Sequence, residues 1–304
     1  MTWLVSVLGA VALWVGGGLL VAGAVIIGPS RLLGLRGNLV SRLSDSKREL
    51  VALGVVLVAS AVGRSSLQTV SELFGLKLTG LIWALEGNFV ESLQQTYASP
   101  ELTMYFSWVY VYGYAFLLAF PFVAYLALPR TETLKRLLVA YALNYAIGLV
   151  IYTVVFAHGP RNLDVGTSLL FTHNPNFTAL TSQVNEATNV FPSLHTSLSV
   201  TVASFAVLTR REYPLWTPIA LWISTSVVIA TMYLGIHWLT DVIGGIALAL
   251  GCVYLSYRYV DADDADADTI GADDVDADTI GADDADADRA DSERRAAPVV
   301  SDDE

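Results

Sequence analysis

Five polar residues stand out in an otherwise apolar chain: Arg161, Ser193, His195, His237 and Asp241. His237 and Asp241 are four residues apart at the start of an apolar run, so on a helix they share one face and the carboxylate can accept a hydrogen bond from a ring nitrogen. An acceptor on one imidazole nitrogen fixes the tautomer and makes the other a better nucleophile or base. Ser193, after Pro192 and two residues before His195, is a good N-cap, and a helix start offers free N–H groups to an anion. Arg161, after Gly159-Pro160, can grip a phosphate through two N–H groups. The set fits phosphoryl transfer: one His attacks phosphorus in line, Asp241 stabilises the imidazolium, and the other His protonates the leaving oxygen.

Each residue also has a plainer use. A lone membrane His can be a packing hydrogen-bonder, and Arg161 an interfacial anchor. His158 and His173 read as solvated loop residues. A metal site would use the same side chains, but a water-activating zinc site gathers three ligands more tightly and no His-Glu-x-x-His is present. Neither a metal nor another cofactor is expected.

What must position these residues is a set of membrane helices. The 304 residues are 54% hydrophobic and 15% charged, with a mean hydropathy of +0.53, which excludes an ordinary soluble globular domain. Seven apolar runs follow one another: 3–27, 50–63, 102–128, 137–157, 193–208, 215–235 and 238–257. The second, with 14 residues, is short for a span and reads as tilted or re-entrant. Between Arg64 and Glu101, apolar residues interleave with Glu72, Lys77, Glu86 and Glu91, and Gly75, Gly80 and Gly87 interrupt the pattern. This segment is expected to form interfacial helices on one membrane face. The Tyr- and Phe-rich run 102–128 reads as packing and aromatic belt.

Basic residues cluster at 28–49, 129–136, 210–214 and Arg258. If those stretches are cytoplasmic, seven spans put the amino terminus outside and the carboxyl terminus inside. Arg161, Ser193, His195, His237 and Asp241 then all fall on the outer side, where an ionisable group at membrane depth is a functional candidate.

Charge is unevenly spread. Residues 259–304 hold 18 Asp and Glu against three Arg, a balance of −15, so the rest of the chain carries about +3. This tail repeats with a period of ten (DADADTIGAD at 264–273, DVDADTIGAD at 274–283) and reads as a disordered acidic tail of a kind that suits a salt-rich, halophilic cytoplasm. A calcium-binding repeat is the sharper alternative, but the glycine and bidentate Glu of an EF-hand loop are missing. Three regions result: 1–99 with N-terminal membrane helices and the interfacial segment, 100–258 as the catalytic membrane core, and 259–304 as the tail. Cys252 is the single cysteine, so no intramolecular disulfide can form.

Pro192-Ser193-Leu194-His195 and the pair His237, Asp241 resemble the type 2 phosphatidic acid phosphatase (lipid phosphate phosphatase) superfamily. Its pattern is Lys, six residues, Arg-Pro; then Pro-Ser-Gly-His; then Ser-Arg, five residues, His, three residues, Asp. The resemblance covers about residues 100–257. Leu194 replaces the family Gly, Ala230 and Thr231 stand for Ser and Arg, Val154 for Lys, and Pro160 precedes Arg161 rather than following it. Phe-Pro-Ser-Leu-His without the later Arg looks more like the inositol phosphorylceramide synthase branch, which moves a phosphorylated head group between lipids. The resemblance implies that His237 is the nucleophile, Asp241 its partner, His195 the acid for the leaving group, and Arg161 a phosphate ligand, with no metal; Ser193, at its helix start, is the other expected phosphate-binding residue.

The expectation is an all-α, polytopic membrane helix bundle of about six to seven spans that cleaves or transfers a lipid phosphoester at the outer face of the cell membrane. Its partners would be a lipid phosphate or phospholipid and a possible alcohol or lipid acceptor, with no nucleic acid. A non-catalytic transporter or lipid-binding protein using the His/Asp cluster as a proton relay is the alternative; it would place its site at the midplane of repeated halves.

Overall fold

The computed structural model describes residues 2–171 and 189–262. The chain divides into two compact units, Met1–Tyr257 and Arg258–Glu304. The repeat tail beyond residue 262 and the loop stretch holding His173 lie outside the described residues.

Helix α1 (Thr2–Ala22) continues into a π turn, Gly23–Ile27, and ends at Gly28, whose φ of 87° suits a residue without Cβ. Pro29 opens α2 (Pro29–Asp45), so much of the basic stretch after the first span is helical. Arg42 on α2 donates to the main-chain oxygens of Leu126 and Leu128. Helix α3 (Lys47–Phe74) is longer than its apolar run: no proline intervenes, and the helix ends only at Gly75, bending by 66° between its parts 47–63 and 66–74.

Next come α4 (Thr79–Glu86) and α5 (Phe89–Tyr97), separated by Gly87 at φ 52°. The amphipathic pattern is divided as its spacing suggests. Ile82 and Val90 are buried with Ala157, Val165, Val190 and Trp238, while Leu81, Trp83 and Leu85 are exposed.

Helix α6 (Pro100–Trp108), a π turn at Val109–Gly113 and α7 (Tyr114–Leu126) form one apolar span, followed by α8 (Glu132–Val154). A two-residue parallel ladder joins β1 (Leu76–Lys77) to β2 (Val155–Phe156), so the chain leaving α3 lies beside the chain leaving α8. The last described helices are α9 (Leu194–Leu208), α10 (Trp216–Tyr233) and α11 (Leu239–Ala262).

Among the described residues five helices are long and apolar enough to cross a membrane, or six with the bent α3, and α9 is a shorter apolar helix of 15 residues. The architecture is an all-α bundle compatible with a multi-pass membrane protein. Leu117, Phe120, Leu137, Val202, Phe205 and Trp216 are fully buried where α7, α8, α9 and α10 meet.

Candidate active site

The turn between α10 and α11 carries His237. Gly235, at φ 76°, lets the chain double back so that Ile236 N and His237 N both donate to Thr231 O, at 3.1 and 3.0 Å. Helix α11 therefore starts two residues after His237, not before it as the four-residue spacing alone suggested. The pairing with Asp241 survives because Asp241 sits in the first turn: its Oδ2 accepts from Trp238 N at 2.8 Å and lies 3.4 Å from His237 Nδ1. The first contact is the returning half of a capping box; the second is at the long end of hydrogen bonding. Asp241 is fully buried and its Oδ1 has no hydrogen-bond partner.

His237 is 4% exposed. Burial, then the nearby charge of Arg161, push its pKa down to about 3, with a hydrogen bond to the Val190 main chain opposing. The ring is neutral at pH 7, so its contact with Asp241 is a hydrogen bond to a neutral imidazole rather than an ion pair.

Ser193 is the N-cap of α9: it is fully buried, its Oγ accepts from Thr196 N at 3.3 Å, and its N donates to Asp241 O at 3.0 Å. That last bond ties the start of α9 to α11. The two backbones come this close because Gly245 faces Ser193: a Cβ there would lie 2.6 Å from Ser193 O. Leu194, where the resemblance has Gly, is accommodated by Gly148 on α8, whose missing Cβ would lie 2.6 Å from Leu194 Cδ2.

His195, partly exposed, is held between two tyrosines. Tyr110 stacks on it with centroids 4.4 Å apart and its hydroxyl 3.4 Å from Nδ1, and Tyr114 lies 4.4 Å away on a tilt. Tyr110 belongs to the π turn and Tyr114 follows it; such insertions re-aim side chains and recur at functional sites. The tyrosine-rich span, expected to be packing and belt, thus furnishes the walls around a site histidine.

Arg161 lies in a short 3₁₀ helix (Pro160–Leu163) entered through Gly159, where a Cβ would lie 2.6 Å from Ile236 O. Burial lowers its pKa from the ordinary value, with Tyr110 raising it. Arg161 therefore interacts with both His237 and Tyr110, and Tyr110 touches His195, which links all five sequence candidates into one neighbourhood. His158 is not a free loop residue: its carbonyl accepts from Trp238 Nε1 at 2.8 Å and its Nδ1 lies 3.4 Å from Asn162. Among the described residues no three His, Cys, Asp or Glu side chains form a group that could hold a metal ion.

Departures from the resembled pattern have structural counterparts. Thr231 is buried and its hydroxyl donates to Val228 O at 2.7 Å, while Ala230 packs with Phe106, Tyr110 and Tyr233. Where the resembled pattern has a cation, Thr231 offers a short hydroxyl turned back onto its own helix. Val154 is 59% exposed at the end of α8.

The PAP2 superfamily model matches residues 81–255, more than half of the chain. The chain belongs to the PAP2 superfamily. The matched stretch runs from α4 into α11 and contains every residue of the site described above. A relative is an uncharacterised protein of Methanocaldococcus jannaschii, 29% identical over 157 residues, which are 51% of this chain and 59% of the relative. The chain therefore aligns with less than two thirds of that relative's length. No solved structure matches.

Proposed function

We propose that this PAP2 protein is a membrane lipid phosphoesterase or phosphotransferase working through a phosphohistidine. The observation that carries the reading is the state of His237: buried, neutral, hydrogen-bonded on one nitrogen to Asp241 and within reach of the charge of Arg161. With its proton on Nδ1 towards Asp241, the other nitrogen carries the lone pair that attacks phosphorus. Arg161, the Ser193 hydroxyl and the start of α9 hold the phosphoryl oxygens. The P–O bond breaks as N–P forms, His195 gives its proton to the departing oxygen, and Asp241 stabilises the imidazolium. Water or an alcohol, deprotonated by His195, then attacks phosphorus, and His237 leaves.

Head-group transfer of the inositol phosphorylceramide synthase type is supported by charge. From Lys77 to Tyr257 the Lys and Arg residues are the exposed Lys77 on β1, Arg161 and two clusters, Arg130–Arg136 and Arg210–Arg211, each in a connection assigned to the opposite face. One guanidinium near His237 suits a singly charged phosphodiester better than a doubly charged monoester. In this reading residues 100–258 are the catalytic core, 1–99 its support and 259–304 a cytoplasmic tail, with the reaction on the outer face of the cell membrane.

The test is turnover of a panel of lipid monophosphates, diphosphates and phosphodiesters by detergent-purified protein at high salt, with and without an alcohol acceptor, beside His237→Ala. Product formation that falls at least about 1,000-fold in the variant is expected, with a new phospholipid when acceptor is present. Folded native protein that turns over no donor, or a His237→Ala variant of native activity, overturns the proposal.

A further inference from the structure

We propose that Glu86 is a positioning residue for the reacting pair, bracing the start of α11 from the amphipathic segment α4–α5; the proposal rests on the phosphohistidine reading above. The first N–H groups of a helix have no intrahelical acceptor. In α11 they are divided between two carboxyl groups. Asp241 takes Trp238 N, and Glu86 takes the next two, Oε2 from Leu239 N at 2.8 Å and Oε1 from Thr240 N at 2.6 Å, with the Thr240 hydroxyl also on Oε1 at 2.5 Å. Such charge-assisted contacts are short and directional.

Glu86 is 153 residues before Leu239, so this cap is supplied by a different element and joins it to the helix. Its removal leaves the Leu239 and Thr240 N–H groups without that acceptor, in the same first turn as the Asp241 carboxyl, which already accepts from Trp238 N. That carboxyl, already 3.4 Å from His237 Nδ1, would be drawn towards the bare helix start and away from the imidazole. Orientation and tautomer of the nucleophile then lose their support, although no atom touching substrate has changed.

The segment has a second anchor that keeps it in place without Glu86. Gln94 on α5 donates to Thr167 O at 2.8 Å and Tyr233 O at 2.9 Å, and accepts from Thr167 N at 2.8 Å. Buried Ile82 and Val90 hold it further. Glu86→Ala therefore removes the cap alone.

The experiment compares Glu86→Ala, Glu86→Gln and Glu91→Gln with native protein by steady-state kinetics, trapped phosphohistidine, melting temperature and amide hydrogen exchange. Glu91 is a partly exposed acid on α5 whose Oε1 accepts from its neighbour Gln95, and it serves as the control. The expected result for Glu86→Ala is a kcat lower by about tenfold or more with KM within about twofold, less phosphohistidine, and faster exchange confined to residues 238–242. Glu86→Gln keeps one accepting oxygen and should recover an intermediate kcat, and Glu91→Gln should match native protein. Native kcat and native exchange in Glu86→Ala overturn the proposal, as does a loss shared by Glu91→Gln. A native protein that turns over no donor sinks the reaction itself, whereas unchanged exchange at 238–242 sinks the brace independently.

Discussion

Burial and the guanidinium of Arg161 hold His237 near pKa 3, so the folded protein keeps this imidazole uncharged where an ordinary histidine, titrating at 6.5, would take up a proton. Between those two pH values the unfolded chain binds a proton that the folded chain refuses. The depressed value therefore contributes stability that is fully present above pH 6.5 and is lost as pH falls towards 3. The slope reaches about 1.4 kcal/mol per pH unit for one such group. Melting of the purified protein between pH 7 and 4 should show this loss, and His237→Asn should flatten it; equal slopes in both proteins would mean that the ring is not held neutral. At this scale the His237–Asp241 pairing, although His237 lies in the turn before α11 and not on the helix, was legible from its four-residue spacing. Tyr110 and Glu86 were not: a tyrosine in an aromatic-rich span and a lone acid in an amphipathic stretch carry no spacing relation to the residues they touch.

Elements meet at the site through glycines more than through side-chain fit. Gly245 brings α11 against the main chain of Ser193, Gly159 brings the Arg161 turn against Ile236 O, and Gly148 receives Leu194. A methyl group at Gly245 meets a backbone oxygen, which cannot swing aside, so Gly245→Ala should destabilise the fold by about 1–3 kcal/mol and separate Ser193 from Asp241. Gly251 on the same helix has nothing within 4 Å of its Cβ direction. Gly251→Ala should be neutral or stabilising by up to about 1 kcal/mol. Melting temperature and turnover of the two variants check this together, and equal behaviour would contradict the close approach. The apolar run 50–63 matches the first part of α3, Lys47–Gly63, which ends at the 66° bend; the second part, Ser66–Phe74, is too polar for an apolar-run criterion to find.

At the scale of the whole molecule, the distribution of Lys and Arg makes a topological prediction. In a Cys252→Ala background, Leu163→Cys in the exposed turn after Arg161 should react with a membrane-impermeant maleimide on intact cells, and Arg211→Cys only after permeabilisation. The reverse pattern would put the site on the cytoplasmic face.

Hydrophobic runs long enough for a bilayer determine an all-α bundle from sequence alone, because lipid leaves the backbone no other way to satisfy its polar groups. The His237–Asp241 pair and the N-cap at Ser193 are local in sequence and were likewise readable there. Tertiary structure alone decided that α4–α5 caps α11 through Glu86, that the π turn aims Tyr110 at His195, and that Gly148 makes room for Leu194. Each of these joins residues 46 or more positions apart, a relation set by how helices pack and not by any period along the chain.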